Sequence, residues 1–314
     1  MTGFILRRLA QSVVVLVGVT LVVFLLLQLV PGDPVRLALG TRYDQATYDA
    51  LRARSGLDRP LVVQYFSYIG HAVGGDLGVS FRSGRPVTSI VVERLPATLS
   101  LAVTAVILAL VVAFPLGVLS GIRSGSAVDH AARVFSQFGV SVPDFWMGIM
   151  GILLFSGVLG WLPPSGYVSL GESPGGWASH VLLPAATIGL VTASILTRYI
   201  RSAVLEVLSE DYIRTAEGKG LRPQVVVMRH VLRNALIPVV TVVAVQLASL
   251  LGGVIVVEVL FAWPGIGRLT YDSVQARDYP VLQGAVLFVA ALFLLINLLV
   301  DVLYAKLDPR ISVR

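Results

Sequence analysis

Long uninterrupted apolar runs, rather than alternating apolar and polar positions, dominate the chain. A helix of about 20 apolar residues spans the ~30 Å hydrocarbon layer of a bilayer. Strands of a membrane barrel would instead alternate over segments of about ten residues. The pattern therefore predicts an all-α integral membrane protein with six transmembrane helices, at residues 9–30, 98–121, 134–159, 180–199, 237–261 and 281–304.

The first run has two interpretations, a retained helix or a cleaved signal peptide. Signal-peptide cores contain only about 7 to 15 apolar residues and end in a small-residue cleavage site. No such site precedes Pro31. We therefore predict a retained helix followed by a long external segment. That segment, up to residue 95, is too long for a bare loop, so we expect short helices within it.

The domain organisation that follows is simple. Residues 1–95 comprise the first transmembrane helix and the external segment, 96–305 the other five spans, and 306–314 a tail. Short cytoplasmic loops hold an excess of Lys and Arg. Arg7 and Arg8 therefore place the N-terminus in the cytoplasm. Basic residues also place the C-terminus there, namely Lys306, Arg310 and Arg314.

Composition agrees with a membrane protein and excludes several other classes. The chain is 56% hydrophobic and 13% charged, against about 25% charged residues in soluble domains. The positive-inside bias accounts for its net charge of +6, so nucleic acid is not an expected partner. Cysteine is absent, and Lys219 is followed by Gly220 where a P-loop needs Ser or Thr. We expect no catalytic residue, no metal site and no cofactor in this chain.

The basic loop at 201–234 is the most informative segment. Its pattern indicates a helix, a break and a second helix. Tyr212, Thr215, Ala216 and Lys219 have the i, i+3, i+4 and i+7 spacing of one helix face. The alternative is an ordinary inner loop whose Arg side chains lie near anionic lipid headgroups.

The break itself is marked by Gly220 and Pro223. Gly220 can end a helix in the left-handed conformation, and Pro223 suits the first turn of the next helix. Ala216, Gly218 and Gly220 would leave the surface nearly bare of side chains. A partner's groove could then approach closely.

These residues resemble the coupling motif of ABC-importer permeases. The general form is Glu-Ala-Ala, three residues, Gly, nine residues, Ile, any residue, Leu-Pro. Ala216, Gly220 and Leu232 match that form. The positions that depart from it are Arg214, Thr215, His230 and Arg233. The departures are similar to the dipeptide and oligopeptide branch, with its Arg-Thr-Ala-x-x-Lys-Gly-Leu core and the continuation found here at 229–238.

The resemblance extends along nearly the whole chain. Further stretches of the same kind are PGDP at 31–34, GDLGVS at 75–80, ERLPATLSL at 93–101, GWLPPSGY at 160–167, WPGIGRL at 263–269 and LLVDVLYAKLDPRI at 298–311. Their shared order favours the first permease subunit of a peptide-type pair. The resemblance implies the ABC type I importer permease fold and a transport subunit in the bacterial plasma membrane, not an enzyme.

The same resemblance implies partners and cargo. It implies a second homologous permease, two ATPase subunits that bind ATP and Mg, and an extracytoplasmic substrate-binding protein. The expected cargo is a di- or oligopeptide, with nickel complexes, glutathione or haem as alternatives. The residues implied to couple to an ATPase are Asp211, Tyr212, Arg214, Thr215, Ala216, Glu217, Gly218, Lys219, Gly220 and Leu221.

Polar residues within the spans are candidates for the substrate path, since ionisable residues in membranes are costly. Asp144 could meet a peptide's cationic end, or it could cap a break caused by Pro143. Glu258 could face the path or pair with Arg268.

The remaining polar residues in the spans could have structural roles. Gln246 is a path candidate that, like Gln28 and Asn297, could instead hydrogen-bond between helices. Asp301 is expected to pair with Lys306.

Two other classes of function remain as alternatives. An ion-coupled secondary transporter would carry an internal repeat, which we do not detect, and would transport without any ATPase subunit. An intramembrane hydrolase would need a paired nucleophile and base or a metal cluster within the spans. The acidic residues Asp144, Glu258 and Asp301 fall on different predicted helices.

Overall fold

The computed structural model describes residues 2–40, 43–54, 56–251 and 255–307. Over these residues the chain is nearly all helical, with one isolated β-bridge between Val79 and Pro86. Within these described ranges, five helices are long and apolar enough to cross a membrane, and a sharply bent helix pair would make a sixth. The chain forms two compact units, Met1–Leu99 with Leu251–Leu295 and Ser100–Leu250 with Ile296–Arg314, each counted over its described residues.

The first unit contains the N-terminal helix and the segment after it. Its helices are α1 (Thr2–Gln28), α2 (Pro34–Leu39), α3 (Gln45–Arg54), α4 (Leu61–Val73), the start of α5 (Val87–Ile122), α12 (Ile255–Leu260), α13 (Ile266–Gln275) and most of α14 (Tyr279–Leu307). The short helices expected in the external segment are therefore present. Leu77, Val87, Val91, Ile266 and Val281 pack in its core.

The PGDP motif begins α2. The Asp33 carboxylate accepts the N–H groups of Val35 and Arg36 at 3.0 Å each, and the Tyr48 hydroxyl donates to it at 2.7 Å. Partial burial raises the pKa of Asp33, but these hydrogen bonds outweigh it and hold the pKa below its usual value. The motif is thus a helix N-cap tied to α3.

Helix α4 belongs to the predicted external segment, yet it contacts the first span directly. The Tyr65 hydroxyl lies 3.0 Å from Thr20 Oγ1 and donates to the Val17 carbonyl at 3.2 Å, and its ring packs on Phe24. Thr20 lies inside the apolar run of α1. The apolar sequence of α4 therefore packs beside a membrane span instead of folding separately from it.

The second unit is built around one buried helix. Its elements are the rest of α5, α6 (Ala127–Ser141), α7 (Asp144–Gly151) with a π-helical continuation (Ile152–Val158), α8 (Pro174–Leu208), α9 (Asp211–Gly218), α10 (Pro223–Val225), a π-helical stretch (Val226–Val231), α11 (Leu232–Leu251) and the end of α14. In α8, 67% of the most apolar window is buried, against 11% in α1. The Ser, Thr and Gly that weaken its apolar pattern therefore pack inside the unit, as small residues do between membrane helices.

Glycines let α5 approach α8 closely. A Cβ at Gly117 would lie 2.7 Å from Ile200, and one at Gly121 would lie 2.6 Å from Val204. Helix backbones come this near only where side chains are minimal.

The predicted third span, 134–159, is not one straight helix. Helix α6 ends at Ser141, α7 begins at Asp144, and the two parts are bent by 101°. Val142 and Pro143 between them have extended backbone conformations. Proline has no N–H for the helix ladder and keeps the residue before it out of the helical region, which accounts for the break.

Other predicted boundaries also move. The second span is part of a helix that begins at Val87, so the predicted domain boundary after residue 95 falls inside α5. The predicted fifth span, 237–261, lies in a helical run that starts at Pro223 and continues only to Leu251. Residues 252–254 of that prediction lie outside the described residues, and 255–260 form the separate helix α12.

Candidate functional site

The segment predicted to couple to an ATPase forms a short helix between two long ones. Helix α9 ends at Gly218, and Gly220 has φ +78°. The N–H of Gly220 donates to the Glu217 carbonyl at 2.8 Å and that of Leu221 to the Ala216 carbonyl at 3.4 Å. This is the Schellman arrangement of a helix end. The predicted left-handed glycine and the Pro223 start of the next helix are confirmed.

Helix α9 is anchored to the second unit by one face. Ile213 is 1% exposed and Ala216 is 7% exposed, and both belong to a core that also contains residues of α8 and α11. The Tyr212 hydroxyl accepts a hydrogen bond of 3.0 Å from Asn234 Nδ2. Our expectation that Ala216 lies on a bare outer surface is wrong, because it packs inward beside Ile213.

The rest of the predicted coupling residues form an exposed surface, which we call the α9 surface. Its members are Asp211, Tyr212, Arg214, Thr215, Glu217, Gly218, Lys219, Gly220 and Leu221. Nothing lies within 4 Å of where a Cβ would stand on Gly218 or Gly220. Acidic and basic side chains alternate on it, and Arg214 pairs with Asp211 at 3.6 Å. The surface can accept a close approach by another backbone and offers charges of both signs.

A buried carboxylate fixes the helix that leads into α9. Asp129 is 1% exposed and accepts hydrogen bonds from Arg201 Nε at 2.6 Å and Nη2 at 3.1 Å. The Ser120 hydroxyl and the Gly125 N–H also donate to it, at 2.6 and 2.9 Å. These contacts connect α5, α6 and α8 through one group.

Asp144, the first path candidate, lies at the bend after Pro143. It is half-buried and begins α7. Its carboxylate makes no hydrogen bond to a described residue, so the capping role that we considered for it is not seen. The side chain keeps its hydrogen-bonding capacity for another group.

Glu258, the second path candidate, is engaged by its own unit. Its carboxylate is 1% exposed and accepts the Arg268 N–H at 2.8 Å, while the Thr98 hydroxyl lies 3.5 Å away. The expected side-chain pair with Arg268 is wrong, since the Arg268 guanidinium pairs with Asp272 at 3.7 Å.

The WPGIGRL motif is built to receive the Glu258 carboxylate. A Cβ on Gly265 would lie 2.1 Å from Glu258 Oε1, and one on Gly267 would lie 3.0 Å from Oε2. Trp263 is buried and donates to the Ala97 carbonyl at 2.9 Å. The two glycines are thus needed for a close approach, and the motif supports a buried acid.

The weaker candidates are scattered. Gln246 is half-buried on α11, Asn297 is half-buried on α14, and Gln28 is exposed at the end of α1. The side chain of Lys306, expected to pair with Asp301, lies outside the described part of the chain. Asp144 and Gln246 belong to the second unit, and Glu258 belongs to the first.

Sequence reasoning missed three residues that the structure makes important. Asp129 and Arg201 are 72 positions apart, and no local pattern relates them. The burial of Ile213 could have been predicted, because Ile213 has the i, i+3 spacing to Ala216 that is typical of one helix face. Within the described ranges, no cluster of three or more His, Asp or Glu could hold a metal ion.

Comparisons with known proteins agree with this architecture. The model of the family "Binding-protein-dependent transport system inner membrane component" matches residues 113–313, and that of the corresponding N-terminal region matches 1–102. Among solved structures, an inward-facing form of the MetNI methionine ABC transporter has a TM-score of 0.57 at 19% identity, covering 70% of this chain and 96% of that one. An amino acid ABC transporter has a TM-score of 0.51 at 14% identity, with 71% and 95% covered.

Curated relatives match over the full chain. The dipeptide transport system permease protein DppB of Escherichia coli (strain K12) is 43% identical, with 99% of each chain covered. The oligopeptide transport system permease protein AppB of Bacillus subtilis (strain 168) is 40% identical, with 99% of this chain and 100% of AppB covered. A putative peptide transport system permease protein of Brucella abortus (strain 2308) is 42% identical, with 99% of each covered. With the fold of an ABC type I importer permease and these matches, the chain belongs to the family of binding-protein-dependent transport system inner membrane components.

Proposed function

We propose that this chain is a permease subunit of an ATP-driven importer and that, with a second homologous permease, it encloses the uptake path for di- or oligopeptides. The observation that carries the proposal is the full-length identity of 40–43% to proteins named as peptide, dipeptide and oligopeptide permeases. As a family member the chain is an integral membrane transport subunit and not an enzyme.

The α9 surface is the part that we propose to dock on an ATPase subunit. Its exposed residues stand on a helix fixed by Ile213 and Ala216, so a push on the surface moves the core of the second unit with it. Two ATPase subunits, which would bind ATP and Mg, would supply that push. Because the core of the second unit is closely packed, its helices would move together as a rigid body when the α9 surface is displaced.

The proposed orientation places the α9 surface and both termini in the cytoplasm. It is supported by the basic residues near the termini and by the positive-inside rule. An extracytoplasmic binding protein would then deliver cargo to the opposite side of the membrane.

Asp144 and Gln246 are the residues that we propose to line the path. Asp144 has a half-buried carboxylate without a hydrogen-bond partner among the described residues, and it lies at a helix break where side chains of a span can reach a path. Because Glu258 is buried and engaged, we propose that it shapes the WPGIGRL motif instead of contacting cargo.

Deleting the gene and measuring uptake of labelled dipeptides tests the function. We expect uptake to be lost and to return with the wild-type gene, and to require the ATPase subunits. Unchanged peptide uptake, together with lost uptake of nickel, glutathione or haem, would reassign the cargo. Uptake that persists without any ATPase subunit would instead favour an ion-coupled transporter.

The lack of cysteine makes docking directly testable. Single substitutions Thr215→Cys and Glu217→Cys lie on the α9 surface, and Val73→Cys is a control at an exposed position of α4. We expect the first two to cross-link to an ATPase subunit in the intact assembly and to be shielded from an impermeant maleimide added to cells. Cross-linking of the Val73→Cys control alone would contradict both docking and orientation.

A further inference from the structure

Helix α4 has three sides of different chemistry. One side contacts α1 through Tyr65, whose ring packs on Phe24. A second side is polar, and its members have the i, i+3, i+4 and i+7 spacing of one helix face. They line a cavity of the first unit and are Gln64, Ser67, Tyr68 and His71. The third side has neither a protein contact of this kind nor a polar residue.

This third side, which we call the α4 apolar face, is exposed. It consists of Val62, Val63, Phe66 and Gly70. Val62 is 67% exposed and Phe66 is 68% exposed. No described atom lies within 4 Å of where a Cβ would stand on Gly70. Helix α4 contains no Asp, Glu, Lys or Arg. A contiguous apolar surface of this kind marks contact with a partner or with a membrane.

The contact with α1 gives the level of α4 in the bilayer. The apolar span of α1 runs from Leu6 to Gln28. Phe24 is four residues before Gln28, so the Tyr65 ring lies about 6 Å from the end of the span. Its hydroxyl reaches deeper, to Thr20. Interfacial helices bury their apolar face about 5–10 Å into the boundary between headgroups and acyl chains, and Tyr is enriched there. Helix α4 lies at that boundary.

Lipid fits the α4 apolar face better than a protein partner does. Its side chains offer no hydrogen-bond donor or acceptor, whereas protein interfaces form about one hydrogen bond per 100–200 Å². The neighbouring span also exposes apolar surface. Only 11% of the most apolar window of α1 is buried, and Val22 and Leu26, on either side of Phe24, are 56% and 58% exposed. The apolar face of α4 thus continues the apolar surface of a membrane span.

We propose that α4 is an interfacial helix whose apolar face lies among the lipid acyl chains of the leaflet at the C-terminal end of α1. The segment after the first span then re-enters the membrane at 61–73 instead of staying outside it. Arg59, exposed just before the helix, is placed where a long cationic side chain reaches a lipid phosphate. The proposal holds whatever the cargo of the transporter is.

Fluorescence quenching at two positions of the same helix tests the proposal. Because the chain lacks cysteine, a bimane label on Phe66→Cys reports only the apolar face. A label on His71→Cys, an exposed position of the polar side, is the matched control. Each variant is purified with its partner subunits and placed in vesicles of phosphatidylethanolamine and phosphatidylglycerol. We expect brominated acyl chains to quench Phe66→Cys several-fold more strongly than His71→Cys, and aqueous iodide to give the reverse order.

Three results would overturn the proposal. Stronger iodide quenching at Phe66→Cys than at His71→Cys would place the face in water. Equal quenching of the two positions by brominated lipid would mean that α4 has no side turned to the acyl chains. Lipid quenching that occurs in the isolated chain but is lost in the assembly would mean that a partner subunit covers the face.

A bulkier residue at Gly70 separates lipid from a packed protein neighbour by a second readout. Gly70→Leu adds apolar surface where the structure has open space, so the other subunits should copurify in unchanged yield. Gly117→Leu is the control for a packed site, because a Cβ there would lie 2.7 Å from Ile200, and it should lower that yield. If Gly70→Leu lowers the yield as much as Gly117→Leu does, a protein partner packs on the face and the proposal fails.

Discussion

Arg201 holds the buried carboxylate of Asp129 with two hydrogen bonds, from Nε at 2.6 Å and from Nη2 at 3.1 Å. Arg201 lies on α8, upstream of α9, and Asp129 lies on α6. The pair therefore fixes the C-terminal part of α8, which leads to the α9 surface. A paired guanidinium and carboxylate of this geometry are among the stronger polar contacts in proteins.

Breaking this pair should destabilise the second unit. Asp129→Ala leaves Arg201, which is 21% exposed, without its anion, and we expect a loss of about 3 kcal/mol in the free energy of unfolding. Asp272→Ala is the matched control, because its pair with Arg268 at 3.7 Å is exposed and should be worth less than about 1 kcal/mol. Thermal unfolding in detergent measures both. Equal losses would show that the buried pair has no special role.

Gly265 and Glu258 should show coupled effects. Gly265→Ala would put a methyl group 2.1 Å from Glu258 Oε1, and such overpacking costs about 1–3 kcal/mol. Glu258→Ala removes the acceptor of the Arg268 N–H but also opens space for that methyl group. We expect the double variant to lose less stability than the sum of the two single variants, by about 0.5–3 kcal/mol. Additive losses would contradict the packing of the motif around this acid.

Alanine substitutions at two glycines of the α9 surface distinguish the effect of backbone strain from the effect of an added side chain. Gly220 has φ +78°, so Gly220→Ala forces an alanine into a conformation that costs roughly 1–2 kcal/mol. Gly218 is helical with open space around it, so Gly218→Ala should be tolerated. In the reconstituted complex, we expect only Gly220→Ala to reduce peptide-stimulated ATP hydrolysis. The reverse order would mean that bare surface matters more than the shape of the helix end.

Asp144 should discriminate between cargo charges. If its carboxylate meets a cationic group, Asp144→Asn should lower the uptake of Lys-containing dipeptides by about tenfold and leave neutral dipeptides nearly unchanged, since a charged hydrogen bond is worth about 1.5–3 kcal/mol. Asp144→Glu keeps the charge and is the control. An equal loss for all dipeptides would indicate a role in the helix bend.

Much of this fold could be predicted from the sequence, because its determinants are local. The apolar runs give the spans, and Gly220 and Pro223 give the break and the new helix through their own backbone restrictions. Pro143 likewise predicts a disturbed helix. The size of its bend, 101°, depends on tertiary packing and has no local signal.

The contacts that define the candidate sites depend on distant residues. Glu258 contacts Gly265 in a later turn and Thr98 on α5. A single sequence offers no reason to prefer these partners over an Arg268 side chain, which carries the opposite charge. The predicted fifth span starts at 237, whereas the helix that contains it starts at Pro223 and passes through exposed polar positions such as Gln224 and Arg229.

The continuous helical run from Pro223 to Leu251 begins next to the α9 surface and could carry its displacement over a long distance. At 1.5 Å per residue, its 29 residues measure about 44 Å, which is long enough for one element to reach from beside the proposed docking site through the thickness of a bilayer. A tilt of about 10° around its midpoint would carry each end roughly 4 Å in opposite directions. A small displacement of the helix end on one side of the membrane would thereby move the other end in the opposite direction.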